Sequence, residues 1–196
     1  MGRFRFLKSG GAVLIFLLTA CAGPGERVPV SLSYPGAAPL SASEKPGNIL
    51  VFPFVDARPE PELIGRRVHL FGRIDTFEAA FPLGERMAQL LVRSLRERGY
   101  DAEMAPPAAR PEAVTGERVM TGAVQVLRVD ATSHFGYTQL QGRAVMNIEI
   151  RDSRAGLKTA LKIENENAPK VVFFQSDVLK ETLDELVSDG LKRVLP

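Results

Sequence analysis

The sequence predicts an α+β fold, in which an antiparallel or mixed sheet carries two amphipathic helices on one face. Three observations support this. Two segments repeat leucines at helical spacing, the second half of the chain alternates apolar and polar residues with the period of a strand, and residues 48–56 are apolar on both alternating faces. Packing two helices on one sheet face is the simplest layered arrangement that buries both leucine stripes.

The segment Asn48 to Asp56 predicts a strand that is covered on both sides, because its apolar residues fall on both faces. Pro53 removes one backbone donor and predicts a bulge near the strand end. A turn over Pro59 to Pro61 should follow, and Leu63 to Phe81 is predicted to be a hairpin or a long loop.

The first helix is predicted to have Pro82 in its first turn and Gly99 as its C-terminal cap, since proline suits a first turn and glycine a C-terminal cap. Its apolar positions lie three or four residues apart. Tyr100 to Met104 should then be extended, and Ala105 to Thr115 is predicted to be a loop. The residues of the apolar stripe are Leu83, Met87, Leu90, Leu91 and Leu95.

A β-meander is predicted next, with strands over 119–132 and 137–151 joined by a turn at 134–136. After a turn at 152–156, Leu157, Thr159, Leu161 and Ile163 should form the buried face of a third strand. The last helix is predicted from about Ser176, as N-cap. Its apolar stripe comprises Leu179, Leu183, Leu186, Val187, Leu191 and Val194.

Composition and charge argue against nucleic-acid binding and exclude two kinds of cysteine-based site. The 196 residues carry a net charge of +2, but Arg3, Arg5 and Lys8 lie in a segment that we expect to be removed. Without these three, 22 basic residues face 23 acidic ones, so a net charge of about −1 gives no electrostatic support to nucleic-acid binding. The single cysteine excludes an intramolecular disulfide and a cysteine-based zinc site.

The N-terminal 20 residues have the features of a secretion signal. A basic start precedes a short apolar run over 11–18, which is too short to cross a bilayer permanently. The following Leu18, Thr19, Ala20 and Cys21 resemble the lipobox of bacterial lipoproteins. This resemblance implies cleavage before Cys21, diacylglycerol on its thiol and an N-acyl chain. In the lipoproteins that this segment resembles, aspartate after the cysteine favours the inner membrane, so the resemblance implies that Ala22 favours the outer membrane. An ordinary signal peptide or an uncleaved anchor is the alternative.

Residues 21–47 are predicted to be the lipidated cysteine and a flexible tether, because prolines and small residues are spread along them. The single globular domain then covers 48–196. One alternative stays open within the tether. The alternating residues Val28, Val30, Leu32 and Tyr34 also fit an edge strand, where Pro29 is tolerated.

Four short motifs carry a resemblance to a known family: Leu32, Tyr34 and Pro35; Val55 to Arg58; Ile64 and Gly65; and Arg98 to Tyr100. Through them the chain resembles the YajG-like group of bacterial lipoproteins. Its order of elements is also similar to auxiliary lipoproteins of ABC-type lipid transporters and to the N-terminal domain of TolB. The YajG-like resemblance implies an outer-membrane lipoprotein and offers no catalytic residues.

Few residues suggest chemistry. Asp56 and Arg58 are the candidate polar site, with an ion pair or a turn-capping aspartate as the simpler interpretation. The aromatic segment with Phe71, Phe77 and Phe81 is a candidate partner-binding loop, with ordinary packing as its alternative.

Phe173 and Phe174 should fill core space, and Glu164 and Glu166 should lie at a solvated strand end. His69 and His134 have no neighbouring ligand at the spacing of a local metal site, so we expect no metal and no cofactor beyond the acyl chains.

Three functions follow as hypotheses. The first is a noncatalytic, lipid-anchored periplasmic domain that binds another envelope protein. The second is an auxiliary subunit for transport of a lipid or solute, with an apolar groove between sheet and helices. The third is a hydrolase whose residues converge only in the fold.

Overall fold

The computed structural model describes residues 25–34, 48–115, 117–153 and 155–194, which form ten strands in one mixed sheet, two α-helices, one 3-10 helix at Pro111–Ala113 and the loops between them. The α+β prediction is confirmed, and the sheet is mixed. The strands are β1 Arg27–Val30, β2 Ile49–Val51, β3 Val55–Asp56, β4 Leu63–Val68, β5 Ile74–Ala79, β6 Ala102–Met104, β7 Arg118–His134, β8 Tyr137–Asp152, β9 Leu157–Asn167 and β10 Lys170–Val171; the helices are α1 Leu83–Glu97 and α2 Ser176–Lys192.

The antiparallel hairpin of β7 and β8 is the centre of the sheet. It runs from the pair Arg118 and Asp152 to the pair His134 and Tyr137, with one bulge between Val124 and Val126. Along its other edge β7 pairs in parallel with β2, then β3, then β4. One long strand therefore aligns three short ones that lie far apart in the sequence.

The remaining strands extend this centre on both sides. Strand β6 lies beside β2, whereas β5 and then β1 lie beyond β4. The other edge of β8 pairs with β9 over most of its length and with β10 near its start. Residues 63–81 thus form a hairpin, which was predicted as the alternative to a long loop.

The predicted buried strand over 48–56 is interrupted. Pro53 separates β2 from β3, and around it Phe52 donates a backbone hydrogen bond to Met120 (2.9 Å) and Phe54 donates one to Gly84 (3.0 Å). Strand β2 lies between β6 and β7 and is central, as its apolar faces predicted.

Helix α1 ends in the predicted way. Gly99 has a φ of 85°, and its N–H donates to the Arg96 carbonyl while the N–H of Tyr100 donates to Leu95. This pair of bonds is a Schellman motif, which satisfies carbonyls that the helix end leaves free. At its start Pro82 is the N-cap, one residue before the first turn in which it was predicted. Helix α2 has Gln175 rather than Ser176 as its N-cap, so the predicted cap is wrong by one residue.

Both helices bury their leucine stripes against the same sheet face, in one continuous cluster. Residues from α1, α2, β7 and β8 meet in its centre with no exposed surface. They include Leu91, Leu95, Val129, Leu140, Met146, Leu183 and Leu191. The opposite face of the sheet is only partly covered, by a smaller cluster of Phe52, Ala105 and Val119 beneath the segment that follows β6.

Residues 25–34 belong to the fold, so the predicted tether over 21–47 is wrong for this part and the edge-strand alternative is right. Strand β1 pairs with β5, and Leu32 and Tyr34 are buried. Arg86 of α1 donates two hydrogen bonds to the Leu32 carbonyl (2.6 and 2.9 Å), and Asp184 of α2 accepts one from the Ser33 N–H (2.7 Å). Both helices therefore hold the segment in place.

The predicted buried face of β9 is wrong over its first half. Leu157 and Thr159 are exposed, and burial starts at the partly covered Leu161 and reaches Ile163. Contacts of α2 with β9 bury Ile163 and Asn165, which lie toward the strand's C-terminal end. The first half lies at the edge of the sheet and pairs only with β8.

Candidate functional site

Arg58 and Asp56 form a buried clamp rather than an open binding site. Nε and Nη2 of Arg58 donate to Oδ1 and Oδ2 of Asp56, both at 2.8 Å, and the Arg58 side chain is only 4% exposed. Its other N–H groups donate to the backbone carbonyls of Pro61, Leu63 and Leu127. All three guanidinium nitrogens of Arg58 thus donate hydrogen bonds to other groups of the protein. The ion-pair interpretation is confirmed.

The clamp also fixes the ionisation of Asp56. Burial alone would raise the pKa of this carboxyl, but the hydrogen bonds and the charge of Arg58 outweigh that effect and lower the pKa below its ordinary value. The guanidinium joins β3, the turn over 59–62, the start of β4 and the middle of β7. Its role is to hold these four segments together.

The three phenylalanines of the candidate partner loop do not form one surface. Phe71, at the tip of the β4–β5 hairpin, is 85% exposed, whereas Phe77 is 2% exposed and contacts Phe174 edge to face at 6.2 Å. Phe81 follows the opposite end of β5 and is 53% exposed. The single-loop prediction is therefore wrong, because β5 alternates its faces and separates its two ends.

The prediction that Phe173 and Phe174 fill core space is correct for only one of them. Phe173 is 84% exposed, while Phe174 is partly buried against the core with the Arg67 guanidinium 4.3 Å from its ring centroid.

The two histidines lie in different settings. His69 Nε2 is 2.5 Å from Asp75 Oδ2 and 3.1 Å from Arg73 Nη2, whereas His134 stacks on Tyr137 at 4.8 Å. Burial opposes ionisation of Asp75, but the Glu26 N–H, His69 and Arg73 outweigh it and lower the pKa of that carboxyl. Over the described ranges, no group of three or more histidine, cysteine or acidic side chains is arranged to hold a metal.

The strongest candidate for a binding surface is a groove on the sheet face away from the helices, which we call the open-face groove. It has a volume of about 630 Å³ and crosses β7, β8 and the end of β9. The side chains that define it are Arg128, Asp130, Gln141, Arg143 and Glu166. They point outward because the alternate residues of β7 and β8 face the core.

Charges in and beside the open-face groove are paired within β7, with the turn at Glu60, and between β8 and β9. Arg128 lies 2.7 Å from Asp130 and 3.5 Å from Glu60, and Arg143 lies 2.6 Å from Glu164 and 3.1 Å from Glu166. The hydrogen bond with Glu164 raises the pKa of Arg143, and the same contact lowers that of Glu164. The contact therefore favours the charged forms of both Arg143 and Glu164.

Sequence reasoning missed this groove, although a signal for it exists. Glu164 and Glu166 do lie on an exposed strand, as predicted. The turn between Asp152 and Leu157 sets the register of β8 against β9 and brings Arg143 opposite Glu166. Counting back from that turn would have paired the two residues.

Cys21 and the lipobox residues Leu18, Thr19 and Ala20 lie outside the described residues. Within the ranges that are described, neither helix is long and apolar enough to cross a membrane. Gly25, four residues after Cys21, is the first described residue, and it lies against the backbone of Ile74.

Comparisons with known proteins identify no family. No family model matches the chain, and no curated protein does. A solved structure of an uncharacterized protein is similar over 87% of this chain and 96% of its own, at 10% identity and a TM-score of 0.48. The PelC dodecamer from Paraburkholderia phytofirmans is similar over 76% of this chain and 92% of its own, at 13% identity and a TM-score of 0.39.

Lipoprotein GNA1162 from Neisseria meningitidis is similar over 74% of this chain and 97% of its own, with 16% identity and a TM-score of 0.35. These likenesses are too distant for any function to be transferred from them.

Proposed function

We propose that this chain is a noncatalytic, lipid-anchored domain of the bacterial envelope that binds another envelope protein. Cys21 carries diacylglycerol and an N-acyl chain, which hold the domain at the periplasmic side of the outer membrane. Two or more acyl chains are needed for stable attachment, since a single chain anchors a protein only reversibly. Membership of the YajG-like lipoproteins forms part of the same proposal.

The observation that carries the anchor is the position of Cys21 in the chain. Its lipobox-like surroundings directly precede the folded domain, and only residues 22–24 separate the cysteine from Gly25. Because Cys21 is the only cysteine in the sequence, it cannot form a disulfide within the chain.

The open-face groove is the proposed binding surface for a protein partner. It is open, is lined by paired charges of both signs, and lies on strands at the centre of the sheet. Polar, charged surfaces of this kind match protein partners by electrostatic complementarity, which sets specificity and the rate of association.

Two rival functions receive less support. An auxiliary transport subunit was expected to use an apolar groove between sheet and helices, but buried side chains from both fill that space as one cluster. A hydrolase built on His69 and Asp75 needs a nucleophile beside the histidine, and the hydrogen bonds described for His69 go to Asp75 and Arg73.

The anchor is tested by the intact mass of the mature protein and by membrane fractionation. We expect a chain that begins at Cys21 with the added mass of its acyl groups, and release of the Cys21→Ser variant into the soluble fraction. A mature chain with an unmodified Cys21, or one that begins elsewhere, would refute the anchor.

Partner binding is tested by replacing Gln141 with a photoreactive p-benzoylphenylalanine in intact cells. Gln89, an exposed glutamine on α1, is the matched control on the other side of the domain. We expect an adduct of one defined mass from position 141 that position 89 does not give, and we expect Arg128→Glu to abolish it. Identical adducts from both positions, or none from position 141, would contradict the proposed surface.

A further inference from the structure

Several exposed apolar side chains gather at one end of the sheet. Phe135, in the β7–β8 turn, is 92% exposed, and Phe71 and Phe173 are similarly uncovered. Four more exposed residues lie at or next to the same strand ends. The full set, which we call the apolar end, comprises Leu70, Phe71, Ile74, Phe135, Tyr137, Val172 and Phe173.

Strand register places these residues at the same end. Val68 of β4 pairs in parallel with Thr132 of β7, so the turn after β4 lies beside the turn after β7. Val171 of β10 pairs with Thr138 of β8, which brings Val172 and Phe173 to the start of β8. With neighbouring strands about 4.8 Å apart, the ends of β5, β4, β7, β8 and β10 form a row roughly 20 Å wide.

The N-terminal segment enters the fold at this same end. Strand β1 runs parallel to β5, with Arg27 opposite Thr76. The Glu26 N–H donates to Asp75 Oδ1 at 3.0 Å, and a Cβ atom added at Gly25 would lie 1.5 Å from the Ile74 carbonyl oxygen. Gly25 therefore passes directly against the backbone beside the apolar end.

Chain length then limits where the lipid can be. Four residue steps from Cys21 to Gly25 span at most about 14 Å when fully extended. Acyl chains on Cys21 are thus held within a short distance of the apolar end. A single domain exposing seven apolar side chains at the point of attachment matches the chemistry of an interface between lipid headgroups and acyl chains.

Polar groups beside the apolar end fit the same environment. Lys170 Nζ lies 5.5 Å from the ring centroid of Tyr137, and Arg73 lies next to the hairpin tip. Tyrosine and lysine at the border of an apolar surface are typical of proteins that contact a membrane, because the polar tip stays hydrated while the rest is buried.

We propose that the apolar end inserts into the surface of the same bilayer leaflet that holds the acyl chains of Cys21. This inference deepens the proposed function and rests on lipidation of Cys21. The domain then stands on the membrane in one orientation, with the row of strand ends at the lipid surface and Leu157, at the other end of the β7–β8–β9 meander, pointing away.

The test uses the mature lipidated protein in vesicles of phosphatidylethanolamine and phosphatidylglycerol. A spin label is attached to one introduced cysteine at a time, since lipidation leaves Cys21 without a free thiol. Phe71→Cys, Phe135→Cys and Phe173→Cys report on the apolar end. Phe81→Cys and Leu157→Cys are controls with exposed apolar residues elsewhere. Intact mass confirms lipidation of each variant.

We expect labels at the apolar end to be at least tenfold less accessible to a water-soluble nickel relaxation agent in vesicles than in detergent-free solution of an unlipidated Cys21→Ser chain that starts at residue 21 and so lacks the apolar run over 11–18. The two control labels should stay accessible in both.

Three results would overturn the inference. Lipidated protein whose apolar-end labels stay as accessible as the controls would overturn membrane insertion alone and leave the anchor intact. An unmodified Cys21 would refute the anchor and the inference together. Shielding of the same labels in the Cys21→Ser chain without vesicles, rising with protein concentration, would assign the apolar end to contact between copies instead.

Discussion

Arg58 and Asp56 meet through two parallel hydrogen bonds of 2.8 Å, and the remaining donors of the guanidinium reach carbonyls of three other segments. Loss of this arginine would leave a largely buried carboxylate and three carbonyls without their partner. We expect Arg58→Ala to lower the free energy of unfolding by about 3 kcal/mol.

Urea unfolding measures this loss. Arg93→Ala is the matched control, since Arg93 pairs with Glu97 on the exposed surface of α1. It should change stability by no more than about 0.5 kcal/mol. Equal stability of the two variants would refute the role of Arg58 as a clamp.

Gly84 should resist replacement, although it lies in the first turn of α1. Alanine normally stabilises a helix relative to glycine by up to about 1 kcal/mol. A Cβ at Gly84, however, would lie 1.8 Å from the carbonyl oxygen of Phe54, a backbone atom that β3 and the helix fix in place. We therefore expect Gly84→Ala to lower the thermal midpoint.

Gly190→Ala tests whether contact with backbone is the cause. A Cβ there would first meet the flexible end of Met146 at 2.7 Å. The thermal midpoint of Gly190→Ala should therefore fall less than that of Gly84→Ala. A larger fall for Gly190→Ala would contradict the explanation.

Asp184 should contribute strongly to the docking of the N-terminal segment. Its carboxylate accepts hydrogen bonds from the Ser33 N–H and hydroxyl and from Lys180 Nζ at 2.6 Å. Asp184→Asn removes the charge and one acceptor, and we expect a loss of roughly 2 kcal/mol in the free energy of unfolding. Amide hydrogen exchange should also become faster at Ser33.

Asp189→Asn is the control on the same helix, because Asp189 is exposed and pairs only with Lys192 among the described contacts. It should leave exchange at Ser33 unchanged. Protection of Ser33 that survives Asp184→Asn would show that the helices hold the segment without this carboxylate.

Acid should weaken the fold partly through Asp75. Its pKa in the folded chain lies below the ordinary value of 3.8, so the ionised form stabilises the folded state. This contribution is complete above the unfolded pKa and is lost as the pH falls from about 4 through the lowered folded pKa. Asp75→Asn should reduce stability at pH 7.

Stability of Asp75→Asn should also fall less steeply than that of the parent below pH 4. Urea midpoints at pH 7, 4 and 3 measure both effects. A variant whose curve runs parallel to that of the parent at lower stability would exclude Asp75 as a source of the acid dependence.

Local patterns predicted much of the fold. The two leucine stripes, Gly99 as a cap and the turn between the first two strands of the meander depend on neighbours within a few residues, and each is found in the structure. Ser176 as N-cap and the buried start of β9 were wrong. The covered length of β9 depends on where α2 lies, which no local pattern contains.

The candidate sites were harder to predict because they depend on distant contacts. Alternation correctly suggested an edge strand around Val28, but its pairing with β5 involves residues almost fifty positions away. Phe71, Phe77 and Phe81 looked like one aromatic segment. Strand β5, however, directs the Phe77 side chain into the core and places Phe71 and Phe81 beyond its opposite ends. Sequence proximity is a poor guide to a surface built from strand ends.

The contact between Ser33 and Asp184 joins positions 151 residues apart, near the two ends of the described chain. Such non-local contacts are slow to form, since the chain must close a very long loop first. Strand β1 can pair with β5 and with Arg86 of α1 before α2 is made, but the hydrogen bonds of Ser33 must wait for Asp184. A molecule truncated before Ser176 would therefore keep β1 in the sheet and leave the residues after it held from one side only.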